Sequence, residues 1–176
     1  NLFGPLRVTL AMLPLLRDDA TITNVTSGLG SLDNLDAAHR RLLSDPALTR
    51  DALVEAMRQF VRDKGAGWGT DAYGVSKAAV DKMTEYMAHE LKKYKVAVVS
   101  LYPGLVRTES VLRNAKHFDM SNSESPQFIG RVVAALANDP DILKKSGKVL
   151  VAAQEALEYG IQDIDGRQPR PQTLKD

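Results

Sequence analysis

After Gly74 nothing in this chain breaks a helix until Tyr94. At 3.6 residues per turn, Tyr73, Lys77, Val80, Thr84, Met87 and Leu91 fall along one face, and Lys82, Glu85 and His89 fall on the other. The stripe carrying Val80, Met87 and Leu91 should pack inward, taking a tyrosine and a lysine with it. A half-buried lysine is costly unless something requires it. Either Lys77 snorkels out at the helix start while Tyr73 forms a core edge, or the two side chains work together. A phenol with a pKa of ~10 is a poor acid or base near neutrality, and bringing one to pH 7 takes ~4 kcal/mol. An ammonium about 4 Å from a phenol oxygen supplies an interaction of that order at an effective dielectric of ~20. The i to i+4 spacing of Tyr73 and Lys77 permits that approach.

Composition narrows what surrounds this helix. The 176 residues are 44% hydrophobic and 26% charged, with net charge +1, which describes one globular domain or part of one. Without cysteine there is neither a disulfide framework nor a thiolate-bound metal. His39, His89 and His117 lack ligand spacing, and Asp163-Ile-Asp-Gly-Arg167 has too few carboxylates for a calcium loop, so no metal is expected. Balanced charge and the lack of a basic patch interleaved with aromatics argue against a nucleic-acid partner. The apolar run Leu2 to Leu16 is interrupted by Pro5, Arg7 and Pro14, so no membrane partner is expected. With no secretory or transit signal, the cytoplasm is the expected location. Asn24-Val-Thr26 matches a glycosylation sequon but sits in a predicted buried strand, and reads as chance.

In order, Asn1 to Arg17 reads as a largely buried helix, already under way at the first residue, which suggests an N-terminal truncation. Ala20 to Val25 is a β-branched strand ending in Thr26-Ser27-Gly28-Leu29-Gly30. Val96 to Tyr102 is a second strand, stopped by Pro103-Gly104, and Lys148 to Val151 a third. Helices between them imply parallel strands in an α/β layer, where chemistry gathers at the carboxyl ends of strands. Ser27 and Pro103-Gly104 sit at two such ends. The 45 residues between Ser27 and Tyr73 exceed a simple connection. Asp33 to Leu43 reads as one helix. Thr49 caps a second from Arg50 to Lys64, with Gly65 as its stop. Gly65 to Thr70 reads as a flexible approach to Tyr73, with Trp68 as an aromatic anchor or pocket-mouth residue. Pro126 starts a helix with Phe128, Ile129, Val132, Val133 and Leu136 as its core face, and the tail from Glu155 reads as surface turns.

Tyr73-x-x-x-Lys77 after a strand ending Asn24-Val-Thr-Ser27, followed by Pro103-Gly-Leu-Val-Arg-Thr108 after the next strand, resembles the short-chain dehydrogenase/reductase family from Asn1 to about Val151. The resemblance implies a Rossmann-like, doubly wound parallel sheet whose N-terminal strands and glycine-rich phosphate loop are missing. Gly28-Leu-Gly30 does not have the spacing of that loop. Residues 1–176 are then the C-terminal part of one domain, with a helical insert over 31–70 similar to the carbonyl-reductase-like members. In those members the insert covers a face used elsewhere for oligomerisation, which makes a monomer reasonable and leaves a homo-oligomer open.

By the same resemblance, Tyr73 is the general acid/base, and Lys77 activates it and holds the ribose hydroxyls of the cofactor. Ser27 donates a hydrogen bond to the substrate oxygen, and Asn1 is the counterpart of a water-binding asparagine. Pro103 and Gly104 form the family's turn, and the backbone of Val106 and the hydroxyl of Thr108 contact the carboxamide end of the cofactor. The activity implied is hydride transfer between NADP or NAD, with NADP favoured, and a small-molecule carbonyl or alcohol. The rivals are a non-catalytic nucleotide-binding or interaction module of the same fold, and an inactive fragment.

Overall fold

The computed structural model describes residues 2–65 and 69–171. Asn1 and Trp68, both singled out above, lie outside the described residues. The centre is a three-stranded parallel sheet in the order β1 (Thr21–Val25), β2 (Ala97–Tyr102), β3 (Val149–Val151). Thr21 stands opposite Ala97 and Ser100 opposite Val149, so the carboxyl ends of β1 and β2 share one edge of the layer. All three expected strands form, each within a residue of its predicted start.

Alternation along β2 divides the core in two. Val96 and Val98 point to one face, where they meet Val75, Ala79, Met83 and Met87 of α4 (Thr70–Leu91). Ala97, Val99 and Leu101 point to the other, against Phe128, Val132 and Leu136 of α6 (Pro126–Asn138) and Ala152 and Ala156 of α7 (Ala152–Tyr159). This period-two split is what a central strand covered on both faces requires. One polar knot interrupts the α4 face. Thr84 Oγ1 accepts hydrogen bonds from Asn24 Nδ2 (2.9 Å) and Ser100 Oγ (3.0 Å), tying α4 to both strands.

The segment before α4 folds largely as its capping residues dictate. Thr49 Oγ1 accepts from Ala52 N, and α3 runs from Arg50–Lys64 with Gly65 at φ 51° as its stop. Leu53 and Met57 are its buried residues. The expected single helix over Asp33 to Leu43 is instead two pieces, a 3-10 turn at Leu32–Asn34 and α2 (Ala37–Ser44). Asp36 is the reason: its carboxylate accepts from Ala38 N and His39 N and starts a new helix there.

Three further expectations are corrected. The first helix, α1 (Phe3–Met12), is not largely buried. Val8, Leu10 and Met12, and Leu15 in the 3-10 turn Leu13–Leu15 that follows, are exposed, because no described element lies over that outer side. Lys82 does not lie on a solvent face: it is 8% exposed, its ammonium 5.2 Å from the centroid of the Tyr86 ring and 2.9 Å from Glu85 Oε2. The tail holds a helix, and Asp163 is a buried anchor that accepts from Ser125 N and Arg107 Nη2, each at 2.9 Å, and from Ser125 Oγ. The remaining short helix, α5 (Glu109–Arg113), is capped by Thr108.

Candidate active site

Ser27 follows the end of β1 by two residues, with extended backbone, and caps the 3-10 turn Gly28–Gly30, its Oγ accepting from Leu29 N at 3.3 Å. That acceptor role leaves the hydroxyl proton available as a donor. The turn lies directly on α4. A Cβ on Gly30 would stand 2.7 Å from Lys77 Cβ and 2.8 Å from Ala78 N, and one on Gly74 would stand 2.9 Å from Leu29 O. Two glycines therefore let the serine-bearing turn touch the helical turns that carry Tyr73 and Lys77.

Lys77 reaches from α4 to the end of β1. Its Nζ is 3.5 Å from Val25 O and 5.3 Å from the centroid of the Tyr73 ring. Tyr73 is 41% exposed rather than packed inward, and no hydrogen bond among the described residues engages its hydroxyl. Helical position places it at the first turns of a helix that enters from a loop, where the inward stripe has not yet met the sheet.

The third segment follows β2. Gly104 N donates to Glu124 Oε2 (2.8 Å), Glu124 N donates to Leu105 O (2.8 Å), and Arg107 N donates to Glu124 O (2.8 Å). Val106 bridges Glu124 in parallel fashion. Arg107 continues the clamp, bonding Ser123 O and Asp163. Thr108 Oγ1 accepts from Val111 N at 3.3 Å and remains exposed. The segment of residues 104–107 is thus held along its length by Ser123 and Glu124 and by Asp163 of the tail.

A cleft of about 1060 Å³ opens beside Ser27, lined also by Asp81, Tyr102, Pro103, Gly104 and Glu124. Tyr73 and Lys77 are not among its lining residues. The structure brings Ser27, Lys77 and Tyr73 to the carboxyl end of β1, and Pro103, Gly104, Val106 and Thr108 to that of β2. Of these, Ser27, Pro103 and Gly104 line the cleft, and Val106 and Thr108 do not.

Sequence reasoning missed Asp81, Tyr102 and Glu124. Tyr102 Oη donates to Asp81 Oδ2 at 2.5 Å. Burial pushes the Asp81 carboxyl above the usual carboxylate range, against the Tyr102 hydrogen bond and the Lys77 charge, and burial together with Asp81 pushes the Tyr102 phenol up. Burial pushes Glu124 up to about 7, opposed by the Gly104 N–H and reinforced by Asp163. Asp163 itself is held below the usual range: burial works against this, but hydrogen bonds from Ser125, Ile164 N and Arg107 prevail. Asp81 follows Lys77 at i+4, a readable signal. Glu124 meets Gly104 only through a loop closure that has no local pattern.

Comparison with known proteins decides the family. The short chain dehydrogenase family model matches residues 64–117, which contain Tyr73, Lys77, Pro103 and Gly104. Dehydrogenase/reductase SDR family member 1 of Mus musculus is 46% identical over 108 residues, covering 54% of this chain and 34% of that protein. The chain belongs to the short-chain dehydrogenase/reductase family. Another family relative, carbonyl reductase [NADPH] 1 of Oryctolagus cuniculus, is 30% identical over 141 residues, 73% of this chain and 51% of the relative. The chain therefore spans about a third to a half of the curated relatives it matches. A solved chain from Xanthomonas campestris superposes on 99% of this family member and 55% of itself, with a TM-score of 0.61 at 18% identity, a likeness of fold. The α/β architecture with a parallel sheet is accordingly the part of the family's Rossmann-like fold that this chain carries.

Proposed function

We propose that this chain carries the acid/base site of an oxidoreductase that moves hydride between NAD(P)H and a small carbonyl or alcohol, with NADP favoured. The observation that supports it most is the meeting of three elements at one sheet end. The Ser27 turn rests on α4 at Gly30, and the Lys77 ammonium lies between the Val25 carbonyl and the Tyr73 ring. Bound NAD(P)H supplies the hydride. The residues fit such a cofactor: among the described residues Lys77 has one hydrogen-bond acceptor, Val25 O at 3.5 Å, which leaves protons for ribose hydroxyls.

In the reductive direction, Ser27 Oγ–H donates to the carbonyl oxygen, and Tyr73 Oη gives that oxygen its proton. Lys77 stabilises the phenolate left behind. Asn1 would hold the water that returns the proton. Pro103 and Gly104 shape the turn, and the Val106 backbone and Thr108 hydroxyl hold the carboxamide. Residues 31–70 act as a helical insert over α4, which favours a monomer, and a soluble cytoplasmic enzyme is the corresponding location.

The test is a panel of ketones and aldehydes with NADPH and NADH, using the full-length protein that carries this chain. Ser27→Ala should lower kcat by at least ~100-fold with the fold intact. The 176-residue chain alone, spanning part of its relatives, should bind dinucleotide poorly; micromolar binding by calorimetry would contradict that. A second reading, a binding module without turnover, draws on the cleft lining that includes Ser27 but neither Tyr73 nor Lys77. It predicts carbonyl ligands bound without consumption of cofactor.

A further inference from the structure

Six of the chain's eleven lysines, Lys92, Lys93, Lys95, Lys144, Lys145 and Lys148, occupy two short segments separated by about fifty residues of sequence. The fold joins them. The 3-10 turn Lys92–Tyr94 leads into β2, and the turn Ile142–Lys144 leads toward β3. Because β2 and β3 are parallel neighbours, both turns lie at the amino end of the sheet. Val98 N bonds Ser146 Oγ at 3.0 Å, Gly147 N bonds Val98 O at 2.7 Å, and Ser100 N bonds Lys148 O at 3.0 Å, so the two segments are stitched together. No basic patch was legible in the sequence because the two runs lie apart there and meet only through the sheet.

Local acids account for only part of the charge. Asp141 holds Lys144, and Glu155 and Glu158 hold Lys145. Among the described residues no ion pair holds Lys92, Lys93, Lys95 or Lys148, and all four are exposed. Asp18 and Asp19 stand in the turn entering β1 and bound the patch on that side. An exposed apolar side chain lies within or beside each run: Tyr94, 51% exposed, and Leu143, 44% exposed.

We propose that this amino end of the sheet docks on an anionic lipid bilayer. Four ammonium groups outside any described ion pair, that of Lys93 lying 4.9 Å from the centroid of the Tyr94 ring, suit lipid phosphates and carboxylates, and Tyr94 and Leu143 suit the headgroup boundary, where an amphipathic ring and an apolar tip are both accommodated. Neither segment contains arginine, the residue that reads nucleic-acid phosphates in bidentate fashion. The docked face is opposite the sheet end that carries Ser27 and Pro103, so the candidate active site would face away from the bilayer. The proposal does not rest on the assigned reaction.

The test is sedimentation of the 176-residue chain with vesicles of phosphatidylcholine alone and of phosphatidylcholine with about 30% phosphatidylserine. Binding is expected only to the anionic vesicles, and should be lost on raising salt from ~0.1 to ~1 M. Each lysine-to-glutamine change should weaken partition about fivefold, so K92Q/K93Q/K95Q/K148Q should lose more than ~100-fold. Its circular dichroism and melting should match the parent, and Arg58→Gln on α3 should leave binding unchanged. Equal binding to both vesicle types would place the contact on the exposed apolar helix α1 and overturn the proposal. So would no binding to either, an unaffected quadruple variant, or tighter binding to duplex DNA than to anionic vesicles.

Discussion

Gly30 shows how a single missing side chain positions the site. Any Cβ there would meet Lys77 Cβ at 2.7 Å and the Ala78 amide at 2.8 Å, so the serine-bearing turn could not stay on α4. Gly30→Ala should cost about 1–3 kcal/mol by chemical denaturation and displace Ser27; an unchanged midpoint would show that the turn yields freely. Glu124 works through charge. Its folded carboxyl titrates at about 7 against an ordinary 4.5, so between those values the folded state holds more proton than the unfolded one. Stability from this group is therefore present below pH ~4.5 and declines as pH rises to ~7, by about 3 kcal/mol in all. Glu124→Gln keeps an acceptor for Gly104 N and should flatten that decline, raising the melting temperature at pH 8 more than at pH 5. Equal shifts at both pH values would contradict the assignment. The pairing of Tyr73 with Lys77 was legible because it repeats one helical turn. The Glu124 contact was not, since it joins residues twenty apart through an irregular loop.

At the scale of elements, caps, stops and β-branched runs carried most of the reading. Thr49 and Gly65 mark α3 at both ends, Ser125 and Pro126 open α6, and the β-branched runs mark the strands. The break in the expected helix Asp33 to Leu43 was not legible because an aspartate is compatible with both a helix surface position and a cap; the bonds of Asp36 to two amides decide for the cap. Between elements, Thr84 is the polar link from α4 to β1 and β2. Thr84→Val preserves shape but leaves the Asn24 and Ser100 donors without their acceptor in a buried place. The expected loss is about 2–4 kcal/mol in a denaturant titration, whereas a loss under ~0.5 kcal/mol would mean that both donors find other partners.

For the whole molecule, the sheet order leaves one edge of β1 without a described partner, and α1 with the turn that follows it exposes Val8, Leu10, Met12 and Leu15. Exposed edge and exposed apolar helix together form an adhesive surface. The 176-residue chain should self-associate in sedimentation velocity, and Val8→Glu with Leu15→Glu should reduce this. A parent that stays monomeric at high concentration would contradict the reading. The buried-helix expectation failed here because hydropathy records only that a helix wants cover, while the cover itself is a tertiary fact. The central claim is that the α4 phenol and the β1-end hydroxyl serve one substrate oxygen, and the most direct measurement is the turnover of Tyr73→Phe in the full-length protein. Tyr73 is partly exposed and no hydrogen bond among the described residues engages its hydroxyl, so the variant should melt like the parent, bind cofactor like the parent, and lose at least ~100-fold in kcat. A variant that reduces carbonyls as fast as the parent would contradict the account.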